Sequence, residues 1–415
     1  MTVAIRRPFP VEFVRQQFPS LRSPWVFMDN AGGSQILQPV LDRINEYLLT
    51  SNVQLGATYG VSEMATARLE LANQQAANWV NAADPSEIVM GPSTSMLLRI
   101  LARGYGQMLA PGDEVIVTNC DHEANITPWK ELQHQGIKVK VWSLNPVTLR
   151  LELADLEALM TERTRLVTVV HASNVLGTIN PIRAIADCVH RHGAQLCVDG
   201  VGYAPHRLVD VRAMDVDFYV FSFYKVYGPH HAILYGKRDL LLRLPGCNHD
   251  FIPAEAVPYK FQPGGANYEL SYGTLGISDY LKHLGQQLGT SADCDRNVLR
   301  IAFDAISHYE EGLSKCLLDF LSSHPRVKII GESRPDQELR VPTIAFVVEG
   351  VDSSTIPPQV DTHHIGIRYG DFYAKRLIAD LGLTPQNGVV RVSLVHYNTL
   401  EECSRLVKLL ETIVS

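Results

Sequence analysis

Between Glu87 and Lys237 the chain alternates short apolar runs with stretches whose apolar residues recur at helical spacing. The runs fall near Ile88 and at residues 115–118, 139–142, 166–170, 196–198, 218–221 and 232–235. Runs of this length bounded by turn residues read as strands, and strands separated by helix-length segments imply right-handed crossovers. The expected architecture is therefore α/β, with a mainly parallel seven-stranded sheet covered on both faces. Upstream, residues 39–49 and 62–80 have helical spacing, the second stretch opened by Ser62 as a plausible N-cap. Residues 11–18 suit one or two helical turns before Pro19, and residues 27–33 a short strand running into a loop with paired glycines at Gly32 and Gly33. Downstream, residues 240–267 are rich in Pro and Gly and read as an irregular connection. Residues 281–288, 298–324 and 401–413 then look helical, and 344–349 and 389–394 extended. Three parts follow: an arm at 1–28 packing with the small domain, a large domain at 29–284, and a smaller C-terminal α+β domain at 285–415.

Composition narrows the function classes. A hydrophobic content of 46% supports sizeable cores, while a net charge of −7 without any Lys/Arg cluster argues against nucleic acid or an anionic membrane as the main partner. Residues 1–24 contain no continuous apolar stretch, so the start reads as neither signal peptide nor anchor, and the expected location is cytoplasmic. Seven cysteines (Cys120, Cys188, Cys197, Cys247, Cys294, Cys316 and Cys403) are widely spaced with no Cys-x-x-Cys pair and read as reduced thiols.

The stretch that stands out is Asp217-Phe218-Tyr219-Val220-Phe221-Ser222-Phe223-Tyr224-Lys225-Val226-Tyr227-Gly228-Pro229, an apolar aromatic strand ending in a lone lysine beside a Gly-Pro turn. Desolvation disfavours an ammonium, so such an amine is more often neutral and suits a Schiff base with a carbonyl compound. The alternative is a lysine that snorkels to water. A second strand, Gln195-Leu196-Cys197-Val198, ends in Asp199-Gly200, where an acid otherwise serves as a cap or turn residue. Together the two residues supply what pyridoxal phosphate requires, an amine for the imine and an acid to keep the ring nitrogen protonated. Both fall where strands of an open sheet finish, the usual place for ligands.

Ser222-Phe223-Tyr224-Lys225-Val226-Tyr227-Gly228-Pro229, with His171-Ala172-Ser173-Asn174-Val175-Leu176-Gly177-Thr178-Ile179-Asn180-Pro181 and Arg391-Val392-Ser393-Leu394-Val395-His396-Tyr397-Asn398-Thr399, resembles the class V aminotransferase family of fold type I pyridoxal-phosphate enzymes, nearest its cysteine desulfurase and selenocysteine lyase branch. Matching motifs run from Asp29 to Thr399. The resemblance implies that Lys225 carries the cofactor and moves the α-proton, Asp199 faces the ring nitrogen, and His122, in Cys120-Asp121-His122-Glu123-Ala124, stacks on the ring. Thr94 and Ser95 open a helix where the family binds phosphate, with Ser222 and Tyr224 as further phosphate contacts. Asn174 would reach the ring hydroxyl or the substrate, Arg391 the substrate α-carboxylate, and Arg368 and Asn30 would assist on the substrate side. Gly265 would approach the phosphate of the other subunit of a homodimer. Asp121-His122-Glu123 could be weighed as a metal cluster, but adjacent residues on a strand point apart, and no metal is expected.

Several positions depart from the branch. A tyrosine, Tyr224, stands where the desulfurases usually have a histidine, and Gly202 stands where they have a glutamine. Gly265 replaces a threonine, and Gln54-Leu55-Gly56 replaces His-Arg-Gly. Their mobile loop reads Arg-Thr-Gly-His-His-Cys-Ala; here it is Arg368-Tyr369-Gly370-Asp371-Phe372-Tyr373-Ala374, so Tyr373 replaces the persulfide cysteine, and a phenol cannot take up sulfur. The expected function is a lyase of C–S bonds by β-elimination, acting on a small L-amino acid through a Schiff base with the cofactor and without an enzyme persulfide. Transamination or epimerisation begins with the same deprotonation and remains open, as does a non-catalytic scaffold on the same fold. A nucleotide-binding oxidoreductase is disfavoured because no G-x-G-x-x-G follows an early strand.

Overall fold

A computed structural model describes residues 8–289 and 295–414. Its strands, in chain order, are β1 (Val26–Phe27), β2 (Ile88–Gly91), β3 (Glu114–Thr118), β4 (Lys138–Trp142), β5 (Thr164–Val170), β6 (Gln195–Asp199), β7 (Phe218–Ser222), β8 (Ala232–Gly236), β9 (Val327–Ile329), β10 (Thr343–Val348), β11 (Ile365–Gly366), β12 (Arg368–Gly370) and β13 (Val389–Ser393). β2 to β8 form the seven-stranded sheet in the order β2-β8-β7-β6-β5-β3-β4. Only β8 runs against its neighbours.

The strand residues alternate between two cores, because successive side chains leave opposite faces of a strand. Val89, Val117, Phe218 and Val220 enter one core, whereas Met90, Ile116, Tyr219 and Phe221 enter the other. With both faces covered, the strands read as continuous apolar runs, which is why the sequence exposes them so clearly. The carboxyl ends of β2, β3, β5, β6 and β7 share one edge of the sheet, and the loops leaving that edge build the site.

The second sheet, β12-β13-β10-β9, is antiparallel, and the two-residue strand β1 pairs with β11 in parallel. The strands β9, β11 and β12 escape the sequence reading because two or three residues show no period, whereas β1 overlaps the start of the short strand expected at residues 27–33. Helices α1 (Val11–Gln16), α2 (Gln38–Thr50), α3 (Gly60–Val80) and α4 (Thr94–Gly106) follow the apolar spacing closely. The helix expected at 281–288 is the tail of a longer one, Leu275–Gln287. Gly276 hides its start: a Cβ there would lie 2.5 Å from the Pro39 carbonyl carbon, so glycine permits close packing on α2.

Cys120, Cys188, Cys197 and Cys403 are buried and Cys247 and Cys316 partly so, all as free thiols; Cys294 lies outside the described residues. Among the described residues no helix is long and apolar enough to cross a membrane.

Candidate active site

At the end of β7 the chain leaves the sheet through a 3-10 turn, Phe223–Lys225, closed by the Val226 and Gly228 N–H groups donating to the Phe223 carbonyl at 2.7 and 2.9 Å. The turn carries Lys225 inward, and only 8% of the residue is exposed. Burial, and after it the Arg391 charge, pushes the ammonium down to about 8, with Asp199 and Asp29 opposing. The neutral amine is therefore accessible near physiological pH. Two residues on, Tyr227 holds a positive φ of 65° and meets the edge of Phe18 from the N-terminal segment, which braces the turn from behind.

Asp199 ends β6, the strand paired with β7, and stands opposite Val220 in that register. Its Oδ1 accepts the Val201 N–H at 2.9 Å, and burial raises the carboxyl to about 6 against the pull of that N–H and of Lys225. Lys225, Asp199, His122, Asn174 and Ser222 line one cavity. Another wall is the N-terminus of α4, where Ser93, Thr94 and Ser95 line the cavity. Ser93 caps this helix by accepting the Met96 N–H, while the Thr94 N–H donates to Ser222 Oγ at 3.2 Å. Ser222 thus ties the lysine's turn to the helix end.

His122 Nδ1 accepts the Ala124 N–H at 3.0 Å, a bond that places the ring proton on Nε2. Burial, then Lys225, pushes this imidazole down to about 4, so it is neutral. Its neighbour Asp121 turns into the sheet, bonded to Thr118 and Asn125 and raised by burial to about 7. Asn174 donates through Nδ2 to the Phe372 carbonyl at 2.8 Å, which leaves its buried Oδ1 without a partner. Among the described residues no group of His, Cys, Asp and Glu could hold a metal ion.

Residues 26–406 match the family model for aminotransferase class V. The chain belongs to that family. It is 42% identical over 98% of its length to "Aminotransferase-like protein FGM3" of Gibberella zeae, of which 99% is covered. It is 35% identical over 98% of its length to "Cysteine desulfurase-like protein ustD" of Aspergillus flavus, of which 91% is covered. Among solved structures, the cysteine desulfurase CsdA of Escherichia coli superposes with a TM-score of 0.82 at 26% identity, covering 98% of each chain. The fold is that of the fold type I pyridoxal-phosphate enzymes, and membership makes this chain a pyridoxal-phosphate-dependent enzyme.

The residues of this class-V chain fit the cofactor on their own chemistry. The cavity joins a buried amine, a buried carboxylate, an unpartnered acceptor on Asn174 and a helix N-terminus, the last a natural anion site. Gly202 also lines it, and a Cβ there would lie 2.3 Å from the Ala172 carbonyl, so the backbone at this point leaves no room for a side chain. Gly265, with φ of 85°, lies outside the cavity in the turn before the helix Tyr268–Gly273.

A second cavity continues from the first and is lined by Tyr224, Arg368, Tyr373, Arg391 and Gly32 among others. Arg391, on β13, is 2% exposed; its Nη1 donates to the Asn174 carbonyl at 3.1 Å and its Nη2 to Asp29 Oδ1 at 2.7 Å. Asn30 does not fit the substrate contact expected of it. Its Nδ2 bonds the Phe27 carbonyl, the Ser393 carbonyl and Asn398 Oδ1, and its Oδ1 accepts from Tyr397, so the side chain is spent within the fold. From this loop Ala31 and Gly32 line the second cavity, while Asp29, which the sequence reading passed over although it sat beside the flagged glycines, pairs with the lining residue Arg391. Phe372 was also missed: its ring covers Arg391, and it shares a left-handed backbone with Tyr373, at φ of 53° and 60°.

Proposed function

We propose that this protein uses pyridoxal phosphate held by Lys225 and Asp199 to cleave a C–S bond of a small L-amino acid by β-elimination, without storing sulfur on the enzyme. One observation carries the cofactor assignment: a buried amine and a buried carboxylate end neighbouring strands and line one cavity whose third wall is a helix N-terminus. When bound, the cofactor supplies an electron sink for the pair released at the substrate Cα. Lys225 is the amine that bonds it covalently and the base that takes the α-proton at Nζ. Asp199 would hold the ring nitrogen's proton as an anion. Thr94, Ser95, Ser222 and Tyr224 would take the phosphate, His122 would stack on the ring, and Asn174 would offer Oδ1 to a ring substituent. Arg391 binds the α-carboxylate, with Arg368 beside it.

The lyase reading is supported by the desulfurase-like relatives and by the loop at residues 368–374. No described cysteine lines either cavity, and Tyr373 uses its carbonyl to accept the Glu123 N–H at 2.8 Å. A leaving thiol therefore departs as sulfide or a small thiol. A homodimer is supported by Gly265, which the resemblance places near the phosphate of the other subunit, and by its neighbour Gln54. Both gather at Tyr268, away from their own cavity, with the Tyr268 hydroxyl 3.5 Å from Gln54 Oε1. Val61, Met64 and Leu71 leave an exposed apolar stripe on α3 nearby.

The deciding experiment is to incubate cofactor-loaded protein with cysteine, cystine and related thiol amino acids and assay pyruvate and sulfide. Formation of both supports the lyase. Their absence, with amino transfer to a keto acid instead, would make the enzyme a transaminase.

A further inference from the structure

The carboxylate of Asp29 already occupies the arginine assigned to the substrate. We infer that Asp29 is a positioning residue, a resident carboxylate that holds Arg391 until the substrate's own carboxylate displaces it onto Arg368. This inference rests on the reading of Arg391 as the carboxylate anchor.

The main chains on both sides are clamped. Asp29 is bridged to Ser393, the Ser393 N–H donates to the Met28 carbonyl at 2.7 Å, and the Asn30 N–H donates to the Ser393 carbonyl at 3.3 Å. Only the side chain of Asp29 is free to move. It stands between two cations: Oδ1 is 2.7 Å from Arg391 Nη2, and Oδ2 is 3.7 Å from Arg368 Nη1. The two arginines differ in setting. Arg391 is buried, whereas 57% of the Arg368 side chain is exposed and Asp29 is its only ion-pair partner among the described residues.

A guanidinium buried without a counter-charge is costly, so a site that must wait for an anionic ligand needs a stand-in. Asp29 supplies one. The stand-in leaves part of the fork unused, since the buried Nε of Arg391 has no partner. An incoming carboxylate finds an open donor there and a rival on Nη2. Space for the exchange comes from Gly32, where a Cβ would lie 3.0 Å from Asp29 Oδ2.

A resident competitor reduces apparent affinity by the fraction of time that Arg391 is free. The test uses propionate, a carboxylate without an amino group to react, titrated calorimetrically into cofactor-loaded enzyme at low salt. Asp29→Asn is expected to bind propionate about tenfold more tightly than the unaltered protein. Arg368→Ala, which removes the acceptor for the displaced carboxylate, is expected to bind it more weakly, and the double variant to lose that penalty. Asp29→Ser serves if the first variant fails to fold, as judged by circular dichroism. Unchanged or weaker propionate binding in the folded Asp29 variant would overturn the exchange and leave Asp29 a static tether. Arg391→Ala separates the two readings: if propionate binding survives there, Arg391 is not the anchor, and both fall.

Discussion

The guanidinium carbon of Arg391 sits 3.7 Å from the centroid of the Phe372 ring. A desolvated cation over an aromatic face is worth about 2 kcal/mol, and here it also shields the arginine from water. Phe372→Ala should therefore raise KM for the amino-acid substrate by up to about thirtyfold while changing kcat less. Phe372→Gly, which suits the φ of 53° better, should lose as much, because the ring rather than the backbone makes the contact. Steady-state kinetics on both variants check this.

Lys225→Ala removes the only amine expected to bond the cofactor. Borohydride reduction followed by mass spectrometry should find the cofactor adduct on Lys225 in the unaltered protein and none in the variant. Turnover should fall by a factor on the order of 10³ or more.

Asp199→Asn keeps an oxygen to accept the Val201 N–H but loses the charge. The protein should stay folded and cofactor-loaded, with kcat lower by about 10² to 10³, the usual cost of removing one aimed electrostatic group. Absorbance of the bound cofactor against pH should shift in the same variant, since a neutral amide holds the ring proton less firmly.

A Cβ at Gly202 would meet the Ala172 carbonyl at 2.3 Å. Gly202→Ala should cost about 1 to 3 kcal/mol of stability, or displace the backbone and lower cofactor occupancy. Gly202→Gln should do no better. Thermal unfolding and cofactor content measure both effects.

Burial holds His396 neutral, with its imidazole pushed down to about 3 from 6.5, and Tyr280 donates to or accepts from its Nε2 at 2.6 Å. Between those pH values the unfolded chain binds a proton that the folded chain does not, so this contribution to stability falls as pH drops below 6.5. His396→Gln should flatten the slope of unfolding free energy by about 1.4 kcal/mol per pH unit in the window between. Asp199 acts with the opposite sign, because its carboxyl is raised to about 6, but it is present in both proteins and cancels in the difference. Urea unfolding at several acid pH values reads the slope.

Lys225 and Asp199 stood out in the sequence because each comes at or just after the end of a strand with a clear apolar run. The run 218–221 marks Lys225, and the run 196–198 marks Asp199. The substrate side was harder to see, because its partners meet through strands too short for periodicity. Asp29 follows a two-residue strand and Arg391 lies on another sheet, so no local pattern joins them. Asn30 was misread for the same reason: its partners Ser393 and Asn398 are distant in sequence, and an asparagine beside two glycines looks available. The helix start near Gly276 was obscured because glycine there serves packing rather than a turn.

The ion pair between Asp29 and Arg391 joins residues 362 positions apart. During synthesis on the ribosome, the segment from Ser93 to Lys225 that frames the cofactor cavity emerges long before Arg391 exists. A nascent chain therefore carries every residue that lines the cofactor cavity before the arginine assigned to the amino acid has been made.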